Sequence, residues 1–116
     1  MPSTSITIRR GMTKPDIVWR IRGRTRPFNG TGSVFELKIT CGNDILVKLS
    51  DDPSSGFTYD NAKRLFRWVR SVQESLLFHP RRSEKYEIAR LDGAERSLMV
   101  SGSALCVEGI PNEQVL

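Results

Sequence analysis

Six arginines carry the strongest chemical signal in the sequence: Arg9, Arg10, Arg20, Arg22, Arg24 and Arg26. The last four are spaced by two, so on an extended segment they fall on one side, because strand side chains alternate. A guanidinium pairs bidentately with phosphate and with carboxylate alike, so the row suits a nucleic-acid backbone or an acidic protein surface. Other chemistry is poorly supplied. Asp51-Asp52 is the one adjacent carboxylate pair. It precedes Pro53 among turn residues, and turn formation accounts for it. His79 is the single histidine, which is thin material for a His-based zinc site or a Ser-His-Asp triad. Lying just before Pro80 at an expected helix end, it reads as a partner of the helix dipole. Cys41 falls on the inward side of an alternating strand and reads as a small buried hydrophobe. With Cys106 it makes neither a disulfide framework nor a metal cage. Asn29-Gly30-Thr31-Gly32 contains Gly-x-Gly, but no Lys-Ser/Thr follows, so it fails as a phosphate-cradling loop. The expectation is a protein with no catalytic residues, no metal and no cofactor, which is not an enzyme.

The chain has 116 residues, enough for one domain with one ordinary core. Residues 1–116 read as that domain, with 109–116 as a flexible tail. At 38% hydrophobic and 27% charged, the composition is that of a globular protein. No apolar run approaches the ~20 residues a membrane helix needs, and no membrane partner is expected. Met1-Pro2-Ser3-Thr4-Ser5 lacks the charged start and apolar stretch of a signal peptide. The net charge of +5 is unevenly placed: residues 1–28 hold seven Lys and Arg against Asp16 alone. The basic first quarter can attract phosphates or an acidic surface over a distance. No zinc finger, helix-turn-helix or RNA-binding aromatic signature accompanies it.

Several segments alternate as strands do. Residues 4–10 do so up to Gly11. From Ile17, side chains of Ile17, Trp19 and Ile21 share one face. Phe35, Leu37, Ile39 and Cys41 point inward from the next strand. Gly42-Asn43-Asp44 is a hairpin signal, and Ile45, Val47 and Leu49 are expected to face the core from the returning strand. Lys85 to Leu91, the Asp92-Gly93 turn and Arg96 to Ser101 form a second hairpin. Gly102 reads as a bulge or bend, followed by a strand from Ala104 to Glu108. The expected core is Trp19, Ile21, Phe35, Leu37, Ile39, Ile45, Val47, Trp68, Tyr86 and Ile88.

Residues 58–79 allow two readings. In one, Ala62, Leu65, Val69, Val72 and Leu76 give a single long helix and an α+β fold. In the other, Phe57 to Tyr59 and Arg64 to Arg70 are strands, and Ser71-Val72-Gln73-Glu74 is a capping box that starts a short helix ending by Pro80. Trp68 favours the division: it lies off the helical stripe but shares a strand face with Phe66. The divided reading gives about seven short strands with frequent turns and one short helix, the pattern of an all-β immunoglobulin-like sandwich.

Three stretches in order resemble small immunoglobulin-like proteins and N-terminal domains of tailed-bacteriophage tails, of the baseplate-upper type. The first is Ile6-Thr7-Ile8-Arg9-Arg10-Gly11-Met12-Thr13-Lys14-Pro15. The second is Pro27 followed by Thr31-Gly32-Ser33-Val34-Phe35-Glu36-Leu37. The third comprises Glu74-Ser75-Leu76-Leu77, Pro80, Tyr86-Glu87-Ile88, Asp92-Gly93, Leu98-Met99-Val100-Ser101-Gly102 and Val107-Glu108. Met12 replaces the family's usual Asp, and Arg22-Gly23-Arg24-Thr25-Arg26 replaces its acidic Gly-rich hairpin. The resemblance favours the divided reading of 58–79. It implies a virion structural or adaptor protein of tail, baseplate, neck or capsid, assembled in the host cytoplasm. Its partners would be other virion proteins and further copies of itself; the six arginines, read from their charge and spacing, are the expected interaction patch. A small basic nucleic-acid-binding protein is the alternative.

Overall fold

Alternation on the longest regular segments sets the architecture. On β3 (Val34–Cys41), Phe35, Leu37, Ile39 and Cys41 are buried, while the residues between them are half-buried. In a computed structural model, which describes residues 4–13, 16–21, 32–80 and 82–108, the other strands are β1 (Ile6–Arg10), β2 (Ile17–Arg20), β4 (Asp44–Leu49), β5 (Phe57–Asp60), β6 (Leu65–Trp68), β7 (Ser83–Asp92) and β8 (Glu95–Glu108). One sheet has the order β1-β8-β7-β3-β4 and the other β2-β6-β5. Every pairing is antiparallel except that of β1 with β8, which is parallel. The core draws on both sheets: Ile8, Phe35, Leu37, Ile39 and Ile88 from one, Trp19, Phe57, Phe66 and Trp68 from the other. The three-stranded sheet has the B-E-D order of an immunoglobulin sandwich, and β8-β7-β3-β4 the G-F-C-C′ order. The fold is all-β and immunoglobulin-like.

The segment after β5 is divided, not one long helix. Phe66 and Trp68 are both fully buried from β6, and Arg64, at φ 52°, turns the chain between β5 and β6. The capping box forms: Ser71 Oγ accepts from the Glu74 amide at 3.1 Å, and a Glu74 carboxylate oxygen accepts from the Ser71 amide at 2.9 Å. The helix it starts, α1 (Val72–Ser75), is only four residues long. Ser75 Oγ donates to the Val72 carbonyl at 2.7 Å, and the Leu76 amide bonds both Val72 and Gln73 carbonyls, which tightens and closes the turn. The helix therefore stops well before Pro80. His79 is exposed beyond it, so the dipole role expected for His79 does not arise.

Two expectations about strand facing fail. Ile45, Val47 and Leu49 do not face the core: Ile45 and Val47 are 62% and 46% exposed, and half-buried Leu49 lies on the same outer row, opposite Glu36. The reason is hairpin parity. The two-residue turn pairs Cys41 with Asp44, which sets Ile45 opposite Thr40 and Val47 opposite Lys38, both on the outer face. Gly102 is not a bulge either. The register shift lies near Ile88 and Ala89, which pair with Val100 and Leu98 and leave Met99 as the extra residue. Gly102 is instead a close-approach point, since a Cβ there would stand 1.7 Å from the Thr4 carbonyl oxygen. Ile21 is partly buried, packed against the core.

Candidate interaction surface

The outer face of the five-stranded sheet is built in rows by its registers. One row runs Ser103, Lys85, Thr40, Ile45, and the next Ser101, Glu87, Lys38, Val47. A shallow groove of about 430 Å³ lies over both rows, with Lys38, Lys85 and Ile45 on its walls. Toward β8 the face is ionic. Arg96 bonds Glu87 at 2.8 Å and Glu36 at 3.3 Å, and the hydrogen bond to Glu87 leads the causes that raise the Arg96 pKa. Toward β4 the face turns apolar, with Ile45, Val47 and half-buried Leu49 in a line. β4 ends the sheet, so among the described residues its far side carries no strand.

That edge is shaped by the Gly42-Asn43 turn. Gly42 has φ 69° and Asn43 a negative φ, the pattern of a type II′ hairpin, in which glycine takes the first central position without steric cost. Glu84, buried on β7, locks the turn. Its carboxylate accepts from the Gly42 amide at 2.6 Å and from Thr40 Oγ1 at 3.1 Å. Cys41 lies beneath. Burial, then the neighbouring charges of Asp44 and Glu84, push its thiol pKa up, so the thiol stays protonated and a poor nucleophile. Cys106 is a second buried thiol.

The arginines expected to form one patch are placed as follows. Arg9 is exposed on β1 and projects from the outer side of the five-stranded sheet, opposite in direction to buried Ile8. Arg10, half-buried, follows the inward side of Ile6 and Ile8. Arg20 is exposed on β2, on the outer side of the other sheet. The two outer sides face away from each other, so Arg9 and Arg20 do not share a surface. Arg22, Arg24 and Arg26 lie outside the described residues, as do the Gly30 loop and residues 109–116.

A buried arginine outside that group has a structural task. Arg70 is 2% exposed and donates to the Met12 carbonyl at 3.4 Å. Burial lowers its pKa, and the nearby Asp16 carboxylate works against that. Asp16 itself pairs with Arg67 at 3.2 Å. Ser75 Oγ accepts from the Gly11 amide at 2.9 Å, so the chain leaving β1 is held by both α1 and Arg70. Asp52 serves its own turn. Its carboxylate accepts from the Ser54 amide and hydroxyl at 3.0 and 2.8 Å, and those bonds lower its pKa.

Sequence reasoning missed the apolar row on β4, although its signal was present. A two-residue loop makes paired positions differ in parity, so an inward Cys41 obliges an outward Ile45. Among the described residues, no group of three His, Cys, Asp or Glu side chains could hold a metal ion. A scan against protein-family models finds no match to the chain, and a search of curated proteins finds none.

Proposed function

We propose that this chain is a structural or adaptor module of a bacteriophage virion, joining other virion proteins through contacts along one sheet edge. The observation that carries the contact reading is the exposed pair Ile45 and Val47 on β4, which among the described residues pairs with one strand alone. Exposed apolar edge strands are templates for pairing with another chain, and proteins that do not use them blunt them with proline, bulges or charge. β4 has no proline and its pairing with β3 has no register shift, and its lysine, Lys48, is drawn into an ion pair with Glu74. The virion assignment rests on the tail-protein resemblance of the three motif stretches. The nucleic-acid alternative draws on the net charge of +5. The divergent directions of Arg9 and Arg20 favour protein contact over a continuous phosphate-binding stripe.

The test is virion composition. Particles from a lysate of cells carrying the gene are purified on a density gradient and analysed by mass spectrometry. The chain is expected to sediment with intact particles in constant ratio to the major tail or capsid proteins. Recovery in the soluble fraction alone overturns the assignment.

A further inference from the structure

We propose that the groove on the outer face of the five-stranded sheet takes an acidic, extended segment of a partner protein, with one carboxylate at Lys85 and an apolar side chain two positions along the segment on Ile45. The inference rests on the contact reading above for the source of the segment, and it names the segment's chemistry.

The charges around the groove do not balance. Lys38, Lys85 and Glu87 line it, and Glu36 and Arg96 are the ion-pair partners of the lining groups. Both carboxylates are in use. Glu87 pairs with Arg96 at 2.8 Å, and Glu36 with Arg96 at 3.3 Å and Lys38 at 3.6 Å. Lys85 is the third cation against these two carboxylates, and its ammonium makes no ion pair among the described residues. Its chain neighbour Glu84 is buried and held by the Gly42 amide, the Thr40 hydroxyl and Arg82. The registers set Lys85 between Ser103 and Thr40, with Lys38 at a diagonal position, ~7–8 Å away and within reach of long side chains. One carboxylate seated there balances the charge. It also meets the hydroxyls of Ser101 and Ser103, which line the groove and bond no other side chain or backbone group among the described residues.

The same face selects among anions. Ammonium and hydroxyl groups donate to carboxylate and phosphate alike. Glu36 and Glu87 stand beside Lys85, so a run of phosphates meets like charge there and a single carboxylate does not. Ile45 supplies the apolar contact. It is 62% exposed and lies in the Lys85 row two strand spacings away, roughly 10 Å. Side chains on one face of an extended segment recur every ~6.8 Å, and the lengths of a glutamate and of Lys85 cover the remainder. An ion pair at an exposed lysine contributes little, so the contact is weak and salt-sensitive.

The experiment follows backbone amide shifts of the full chain while a blocked peptide, Gly-Glu-Ser-Leu-Gly, is added. Saturable shifts are expected at Thr40, Ile45, Lys85, Ser101 and Ser103. Glutamine in place of the peptide's glutamate is expected to weaken binding about threefold, and glycine in place of its leucine about as much. Lys85→Gln is expected to weaken it about threefold too. Thr40 bonds the Lys85 backbone and not its ammonium, so this variant keeps the fold. Lys63→Gln, which neutralises an exposed lysine in the turn between β5 and β6, is expected to change nothing. No saturable shift at these amides by ~10 mM peptide overturns the proposal. So does equal binding of the glutamine peptide, an equal loss in Lys63→Gln, or tighter binding of duplex DNA at the same amides. If the groove binds nothing and the chain still sediments with particles, the groove proposal falls and the adaptor reading stands. If the peptide binds as described and the chain is absent from particles, the adaptor reading falls and the groove remains a site for acidic segments.

Discussion

Trp19 Nε1 donates to the Tyr86 hydroxyl at 3.0 Å, and that hydroxyl donates in turn to the Thr4 carbonyl at 2.8 Å. The two rings lie 5.6 Å apart. Trp19 is on β2 and Tyr86 on β7, the counterparts of the B and F strands that antibody domains join by a disulfide. Here a polar chain between two buried aromatics ties sheet to sheet and then to the segment before β1.

Tyr86→Phe removes the middle of that chain and leaves the Trp19 N–H buried without its acceptor. The expected loss is ~1–3 kcal/mol, the cost of an unsatisfied buried donor, read by urea unfolding. The pH dependence has a definite sign. Burial raises the Tyr86 hydroxyl pKa above its ordinary value of 10.0, although the Trp19 hydrogen bond pulls it down. Above that ordinary value the unfolded chain releases the proton and the folded one retains it, so stability falls as pH rises. The advantage of the native protein over Tyr86→Phe is therefore expected to shrink as pH climbs past ~10. A difference that stays constant to pH ~11 contradicts the burial of this hydroxyl.

Much of this fold is legible in local pattern. The faces of β1, β2 and β3 follow from alternation, because each has one buried side. The capping box places α1 because its two reciprocal bonds are local in sequence. Ile45 and Val47 were misread because an apolar alternation says that one side is apolar, not which side is covered. The turn parity decides that, and among the described residues β4 ends the sheet, with no further strand beside it. Gly102 was misread for a different reason. Its lack of a side chain serves Thr4, which is brought beside it by the parallel pairing of β1 with β8, a contact between opposite ends of the chain. The arginine spacing gave chemistry without placement, since neighbouring strands of the chain enter different sheets.

Cys41 is expected to be slow toward alkylating reagents in the folded protein. Burial and the adjoining Asp44 and Glu84 carboxylates all disfavour its thiolate, and the thiolate is the reactive form. Iodoacetamide at pH ~8 is expected to label neither cysteine on a timescale that labels both in urea. Rapid native labelling at Cys41, mapped by peptide mass, contradicts the placement of its side chain under the hairpin.

Nucleic-acid affinity separates the two functional readings. Arg9 and Arg20 lie on opposite sides, so the two form no continuous phosphate-binding stripe. Binding to unrelated duplex DNA is expected to be no tighter than ~10⁻⁶ M at ~150 mM salt and to fall steeply as salt rises, since charge attraction acts by counterion release. Sub-micromolar, sequence-preferring binding in a polarisation titration at that salt favours the nucleic-acid reading over the virion one.

Gly102→Ala tests how the start of the chain is attached. In an ordinary strand interior, replacing glycine by alanine stabilises by ~0.5–1 kcal/mol, because glycine loses more backbone freedom on folding. At Gly102 the added Cβ would stand 1.7 Å from the Thr4 carbonyl oxygen and 2.7 Å from its carbon, both backbone atoms that cannot rotate aside. The segment must move away from β8. That movement breaks the Thr4 amide bond to the Ser101 carbonyl, 3.0 Å long, and carries the Thr4 carbonyl away from Tyr86. The substitution is therefore expected to destabilise by ~1–3 kcal/mol, as overpacking does. Hydrogen exchange is expected to rise at Thr4 and through β1, while the β3 and β7 amides hold their protection, because their pairing does not involve β1. The sign of the effect decides: a more stable Gly102→Ala protein means that Thr4 does not lie over this glycine.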